Sequence, residues 1–337
     1  VLKLAVVFLL KITLLDKLVF YSFLLAGVSF VILAIYKFYC NKNFEIAHYR
    51  INQDKGLGKE LVSFSGWSLF GAVANVANSQ GTNIVLNIFT NVTVNAAMGI
   101  ANQVNAAVYS FVSNFQTAFN PQIVKSYAAG ENEEFQRLVN RAAKFSFYLL
   151  WLIVLPVYVN CNFLLSLWLK NVPQYSVGFV RLVLIFSLIE ALNGPLWISI
   201  QATGKIRAYQ IIVGIINVLN LPFSIVAFCL GANPYWILYI RIALNCAAFA
   251  IRVLLSKKYF ALRARSFLCD SVLIPIFIAV TSASLTLLFG KLVSKTVPCF
   301  FATCIASVFV SGTLIFFLGM KANERRAIVE KIRRGRK

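Results

Sequence analysis

The chain is 337 residues long, 60% apolar and only 13% charged, and carries a net charge of +21. A soluble globular chain of this length needs far more charge to cover its surface, so that class is excluded. The positive charges lie in loops between apolar runs and in the tail from Lys321 to Lys337, a placement that suits anionic headgroups and the positive-inside rule rather than nucleic acid.

The apolar runs are about twenty residues long, the length that crosses a bilayer as a helix. They lack period-2 alternation, which argues for helices over a barrel. Ten hydrophobic spans are predicted, at 2–15 (partial), 18–39, 66–88, 93–118, 143–168, 178–202, 207–230, 234–255, 267–289 and 297–319. The first follows Lys3 and imitates a signal peptide, but Lys11 interrupts it and no small-residue cleavage site follows. It reads as the surviving part of a membrane helix, in a chain truncated at its N-terminus.

Basic residues concentrate in the loops 37–65, 119–144, 203–207 and 252–265 and in the tail, all on one side if every span crosses once. That side is expected to be cytoplasmic. Within the first of these loops, the stretch Asp54 to Phe64 is weakly amphipathic and is expected to lie along the membrane surface. Glu131, Glu133 and Glu134 open a predicted helix in the second. The seven cysteines are scattered, mostly inside spans, and read as small buried hydrophobes. The single histidine, His48, sits in a loop where no metal site can be built around it, and no cofactor is implied.

Burying an unpaired polar group in hydrocarbon costs several kcal/mol, so polar residues within spans point toward protein or water. The third and fourth spans are rich in them. Asn75, Asn78, Thr82 and Asn83 recur at helical spacing on one face of the third. In the fourth, Asn95, Asn102, Tyr109 and Gln116 follow a seven-residue repeat, with Asn105 beside them. Two adjacent amide-rich helices suggest the wall of a hydrated cavity. Hydrogen bonding between packed helices is the alternative, although the amides are too many to pair only with one another. Neutral amides with hydroxyl donors suit sugar hydroxyls, which both donate and accept.

Glu190 is an acidic residue deep in a span, on a face with Ser187, Gly194, Trp197 and Gln201. A proton or Na⁺ relay and a fixed ion pair are both open to it. Arg241 is a deep basic residue, on a face with Asn245, Ala248 and Arg252. It suits a phosphate, or it is the partner of Glu190. Pro156, Pro195, Pro222 and Pro275 lie within spans and bend them.

Several stretches resemble a known family. They are Gly66-Trp67-Ser68-Leu69-Phe70-Gly71, the run from Asn91 to Ala101, Phe119-Asn120-Pro121-Gln122-Ile123 with its continuation to Tyr127, and Leu196 through Lys205. Together they are similar to the polysaccharide repeat-unit flippases of the multidrug/oligosaccharidyl-lipid/polysaccharide (MATE-like) exporter superfamily. The resemblance implies an all-α polytopic membrane protein with two six-helix lobes around a V-shaped cavity, the N-terminal lobe being incomplete here.

On that template residues 1–39 end the N-terminal lobe and 40–65 link the lobes through an interfacial helix. Residues 66–255 form the C-terminal lobe, 256–319 an extra helical pair, and 320–337 a basic cytoplasmic tail. The implied function is to flip a lipid-linked oligosaccharide of the undecaprenyl-pyrophosphate type across a bacterial inner membrane by alternating access. Membrane lipids and Na⁺ or H⁺ are the further partners. As it stands, without about four N-terminal helices of that template, the chain is not expected to transport alone. A cation-coupled multidrug exporter of the same fold is the runner-up. A membrane glycosyltransferase or polymerase fits poorly, because the outer loops are only a few residues long.

Overall fold

The structure is a computed structural model that describes residues 17–44, 55–292, 297–326 and 330. The partial span 2–15, residues 45–54 with His48, residues 293–296, and the tail residues 327–329 and 331–337 lie outside them. By its internal contacts the chain divides into two units, Val1–Lys59 and Glu60–Lys337.

In the first unit, α1 (Lys17–Asn43) is apolar around its whole circumference, with Phe23, Phe30 and Phe38 all exposed. A helix of this kind is at home in lipid. Lys42 in its last turn complements the negative end of the helix dipole.

The remaining helices are α2 (Lys55–Phe89), α3 (Val92–Ala128), α4 (Asn132–Val159), α5 (Cys161–Trp168), α6 (Ser176–Ala202), α7 (Arg207–Cys229) and α8 (Trp236–Phe260). They are followed by α9 (Ala264–Leu268), a π-helical turn over Cys269–Leu273, α10 (Ile274–Leu292), α11 (Val297–Leu314) and a second π-helical turn over Ile315–Gly319. The fold class expected from sequence is the one found, an all-α polytopic membrane protein. Seven described helical stretches are long and apolar enough to span a bilayer. The helices α2 and α3, at 35 and 37 residues, are long enough as well, but their amides dilute their hydropathy.

Local chemistry sets the breaks between helices. Asn91 caps α3 by accepting from the Val94 amide at 3.0 Å. Gly130 turns the chain after α3 with a φ of 73°, a conformation that costs glycine nothing. Glu133 and Glu134 then occupy the first turn of α4, where the helix dipole favours negative charge.

Three spans differ from expectation. The helix α2 runs unbroken from Lys55, so 55–65 is helical and continuous with the span that was expected to begin at 66. Likewise α3 continues through Pro121 to Ala128. The span expected at 143–168 begins at Asn132 and is interrupted at Asn160. There the Asn160 side chain donates to the Pro156 carbonyl at 3.0 Å and accepts from Thr303 of α11 at 3.1 Å. An asparagine that bonds its own backbone and a neighbouring helix competes with continued helix.

The helices α3, α4 and α6 pack mutually, α8 packs on both α6 and α7, and α11 and α10 lie against α4. Phe135, Leu150, Phe179, Leu184, Leu196 and Ile200 are fully buried in this assembly. Small residues set some of the crossings. A Cβ on Gly178 of α6 would run into the Tyr235 ring, and one on Gly71 of α2 into the side-chain amide of Gln210 in α7. Close approach at small residues is how membrane helices gain dispersion energy when lipid supplies no hydrophobic drive.

Candidate functional site

A cavity of about 610 Å³ opens among α2, α3, α6, α7 and α8. Its position follows from where the spans carry polar side chains. Asn75 and Asn78 reach it from α2, Tyr109 and Gln116 from α3, and Glu190, Asn193 and Gln201 from α6. Gln210, Asn217 and Asn220 face it from α7, and Arg241, Asn245 and Arg252 from α8.

Many of these amides also join helices. Asn217 donates to Asn75 at 3.2 Å, and Asn220 donates to Asn78 at 3.0 Å and to Thr82 at 3.3 Å, which ties α7 to α2. Gln116 donates to Ser146 and to the Ala191 carbonyl, at 3.1 and 2.9 Å, crossing from α3 to α4 and α6. The two readings of the amide faces are therefore compatible. The same side chains hold helices together and present their remaining polar atoms to the cavity. Asn75 is exposed and Asn78 half-buried in spite of these bonds.

The ionisable carboxylate and guanidinium groups in the lining are Glu190, Arg241 and Arg252. Sequence left Arg241 as a possible partner of Glu190, but Arg252 takes that place, its NH1 lying 3.6 Å from Glu190 Oε1. Arg252 Nε also donates to the Tyr209 hydroxyl at 2.8 Å, and the Tyr209 ring stacks on Trp197 with centroids 4.6 Å apart. Asn193 donates both to Glu190 Oε1 at 3.1 Å and to Asn245 at 3.0 Å. Glu190 is thus held by a cation and an amide.

Arg241 has a different setting. Its guanidinium lies over the Phe186 ring at 4.2 Å, and its buried Nε has no hydrogen-bond partner among the described residues. Among the described residues it forms no ion pair. The cavity therefore carries one carboxylate against two guanidiniums, and among the described residues one of the latter has no carboxylate partner.

Of the residues singled out from sequence, Asn75, Asn78, Tyr109, Glu190 and Arg241 come together in this cavity. Asn83, Asn102 and Asn105 do not line it. Asn83 is half-buried, Asn102 is exposed, and Asn105 accepts a hydrogen bond from Ser187. The expected wall of two neighbouring amide helices is instead built from five, with the α2 amides bonded to α7. Asn193, Gln210, Asn217, Asn220 and Tyr209 were missed. The signal was present in α7, where residues 210 and 217 are one heptad apart and 213, 214 and 220 share their face.

Fold and cavity together define a multi-pass all-α membrane protein with a polar chamber walled by its helices. Residues 82–226, from Thr82 in α2 to Val226 in α7, match the MatE family model. That match indicates a membrane transporter and supports the MATE-like exporter superfamily. No curated protein and no solved structure matches the chain.

Proposed function

We propose that the chain forms the cargo-binding part of a transporter that moves a lipid-linked oligosaccharide across a membrane by alternating access, with the sugar in its amide-lined cavity. The observation that carries this reading is the lining itself. Asn75, Asn78, Gln116, Asn217 and Asn220 bring amides from three helices to one space of about 610 Å³, a volume within the range of small-molecule sites. Amides match sugar hydroxyls, and the stacked Trp197–Tyr209 pair offers an aromatic edge beside them. Arg241, without a carboxylate of its own, suits the phosphate that joins sugar to lipid.

A multidrug exporter of the same fold is the competing reading, and Glu190 is the feature that speaks for it. Yet Glu190 is matched by Arg252 at 3.6 Å, and Arg241 leaves the lining with an excess of positive charge. Such a lining repels organic cations. As for coupling, we propose Glu190 as the ion-responsive group, because protonation or Na⁺ binding at its carboxylate would release Arg252 and Asn193. A bias of this sort between two states is what alternating access requires.

The test is genetic and chemical. When the gene is deleted, lipid-linked repeat units are expected to accumulate on the cytoplasmic leaflet, and a chain carrying Asn75→Leu and Asn217→Leu is expected not to clear them. Normal surface polysaccharide in the deletion strain, together with loss of efflux of a fluorescent cation, would transfer the assignment to the multidrug reading.

A further inference from the structure

The basic-loop end of the bundle holds a second pocket, of about 350 Å³, between the start of α4, the π-helical turn before α10 and the segment after α11. Two ion pairs form its floor. Lys144 Nζ lies 2.6 Å from Glu324 Oε2, and Lys321 Nζ lies 2.6 Å from Asp270 Oδ2. Lys144 and Glu324 are almost fully buried, and Glu324 also accepts from the Lys321 backbone amide at 2.9 Å. Both carboxylates of the lining are therefore occupied.

The lining adds two guanidiniums, Arg137 and Arg141, one turn apart on the same face of α4 and well exposed. Among the described residues Arg141 pairs only with the already engaged Glu324, at 3.8 Å, while Arg137 pairs at its exposed surface with Glu133 at 3.3 Å and Glu134 at 3.6 Å, both outside the lining. The lining thus sets four cations against two carboxylates. It also holds Asn140, whose buried Oδ1 has no hydrogen-bond donor among the described residues. An occupant that satisfies both features is anionic at one atom group and carries a hydroxyl or ammonium donor at another. Leu273 and Phe277, each 60% exposed, lie one and two turns beyond Asp270 toward the apolar part of the helix. The occupant that fits this sequence of surfaces has a charged head and an apolar tail.

We propose that this pocket holds the headgroup of an anionic phospholipid, its phosphate against Arg137 and Arg141, its donor toward Asn140 and its acyl chain along Leu273 and Phe277. Basic pockets between membrane helices bind such headgroups, and a guanidinium fork matches phosphate geometry. The lipid braces the α10–α11 pair against α4, which packs on the helices α3 and α6 that wall the cavity. The site is independent of the cargo reading.

The experiment uses the purified protein in neutral detergent, with bound lipid counted by native mass spectrometry. Phosphatidylglycerol is expected to bind about tenfold more tightly than phosphatidylcholine, from two guanidinium contacts at a membrane surface. Arg137→Gln/Arg141→Gln is expected to remove that preference. Lys257→Gln/Lys258→Gln, which takes the same charge from the end of α8, is expected to keep it. Equal binding of the two lipids would overturn the proposal, as would equal loss in both double variants, which marks general attraction. Competition by inorganic phosphate as effective as phosphatidylglycerol would assign the pocket to a free anion and overturn the lipid.

Discussion

Arg241 and Arg252 sit on the same helix and line the same cavity, yet their chemistry separates them. Arg252 is fixed by Glu190 and Tyr209, whereas Arg241 lies over an aromatic ring with its Nε unpaired. Replacing Arg252 by Ala strands a carboxylate that is one-third exposed, and a loss of about 2 kcal/mol is expected, below the figure for a fully buried pair because cavity water screens it. Arg241→Ala strands nothing, so its thermal midpoint in detergent is expected to stay unchanged while transport of the lipid-linked sugar is lost. Melting curves and a transport assay on the two variants check this contrast. Equal destabilisation of both would mean that Arg241 is a structural residue.

Sequence located Arg241 and Glu190 and left their pairing open, while the partner that Glu190 has, Arg252, was not considered. Depth along the spans was readable, whereas Arg252 was counted with the basic loop 252–265. The helix α8 instead runs to Phe260, which leaves Arg252 two turns inside it and facing inward. A predicted helix end a few residues too early was enough to misplace the counter-charge.

At the scale of elements, crossings at glycine differ in what they tolerate. Gly178 of α6 lies against the ring of Tyr235, itself wedged between Tyr175 and Phe179. A rigid ring flanked in this way yields less readily than a flexible chain, and Gly178→Ala is expected to cost about 1–3 kcal/mol of stability. Gly71 lies against the end of the flexible Gln210 side chain. Gly71→Ala is expected to change stability by less than about 0.5 kcal/mol, since the helix propensity gained offsets a rotated amide. Unfolding midpoints of the two variants decide the point, and equal effects would contradict these crossings.

The elements themselves were largely legible, since long apolar runs announce membrane helices whatever their neighbours. What the runs did not announce was where helix continues beyond lipid. Residues 55–65 and 119–128 are polar enough to read as loop, yet they extend α2 and α3 without a break. The interruption at Asn160 was also hidden, because it depends on Thr303, far along the chain.

For the whole molecule, the site was legible as a composition and not as an arrangement. Amides in spans pointed to a polar chamber, and Asn75, Asn78 and Tyr109 are in it. Which helices close around the chamber depends on tertiary contacts, such as Asn217 with Asn75 and Asn220 with Asn78, that no spacing within one helix encodes. This is why the α7 side of the wall went unread while Asn102 and Asn105 were assigned to it.

The central claim is that this chamber holds water and receives the sugar. Thiol labelling tests it most directly, in a background free of the seven native cysteines. Asn75 faces the cavity, while Ile84, nine residues on and on the opposite side of α2, is exposed away from it. A cysteine at position 75 is expected to react rapidly with a charged, membrane-impermeant maleimide and to be protected by lipid-linked oligosaccharide, while one at 84 stays unlabelled. Labelling at 75 as slow as at 84, or unaffected by the oligosaccharide, would contradict the account.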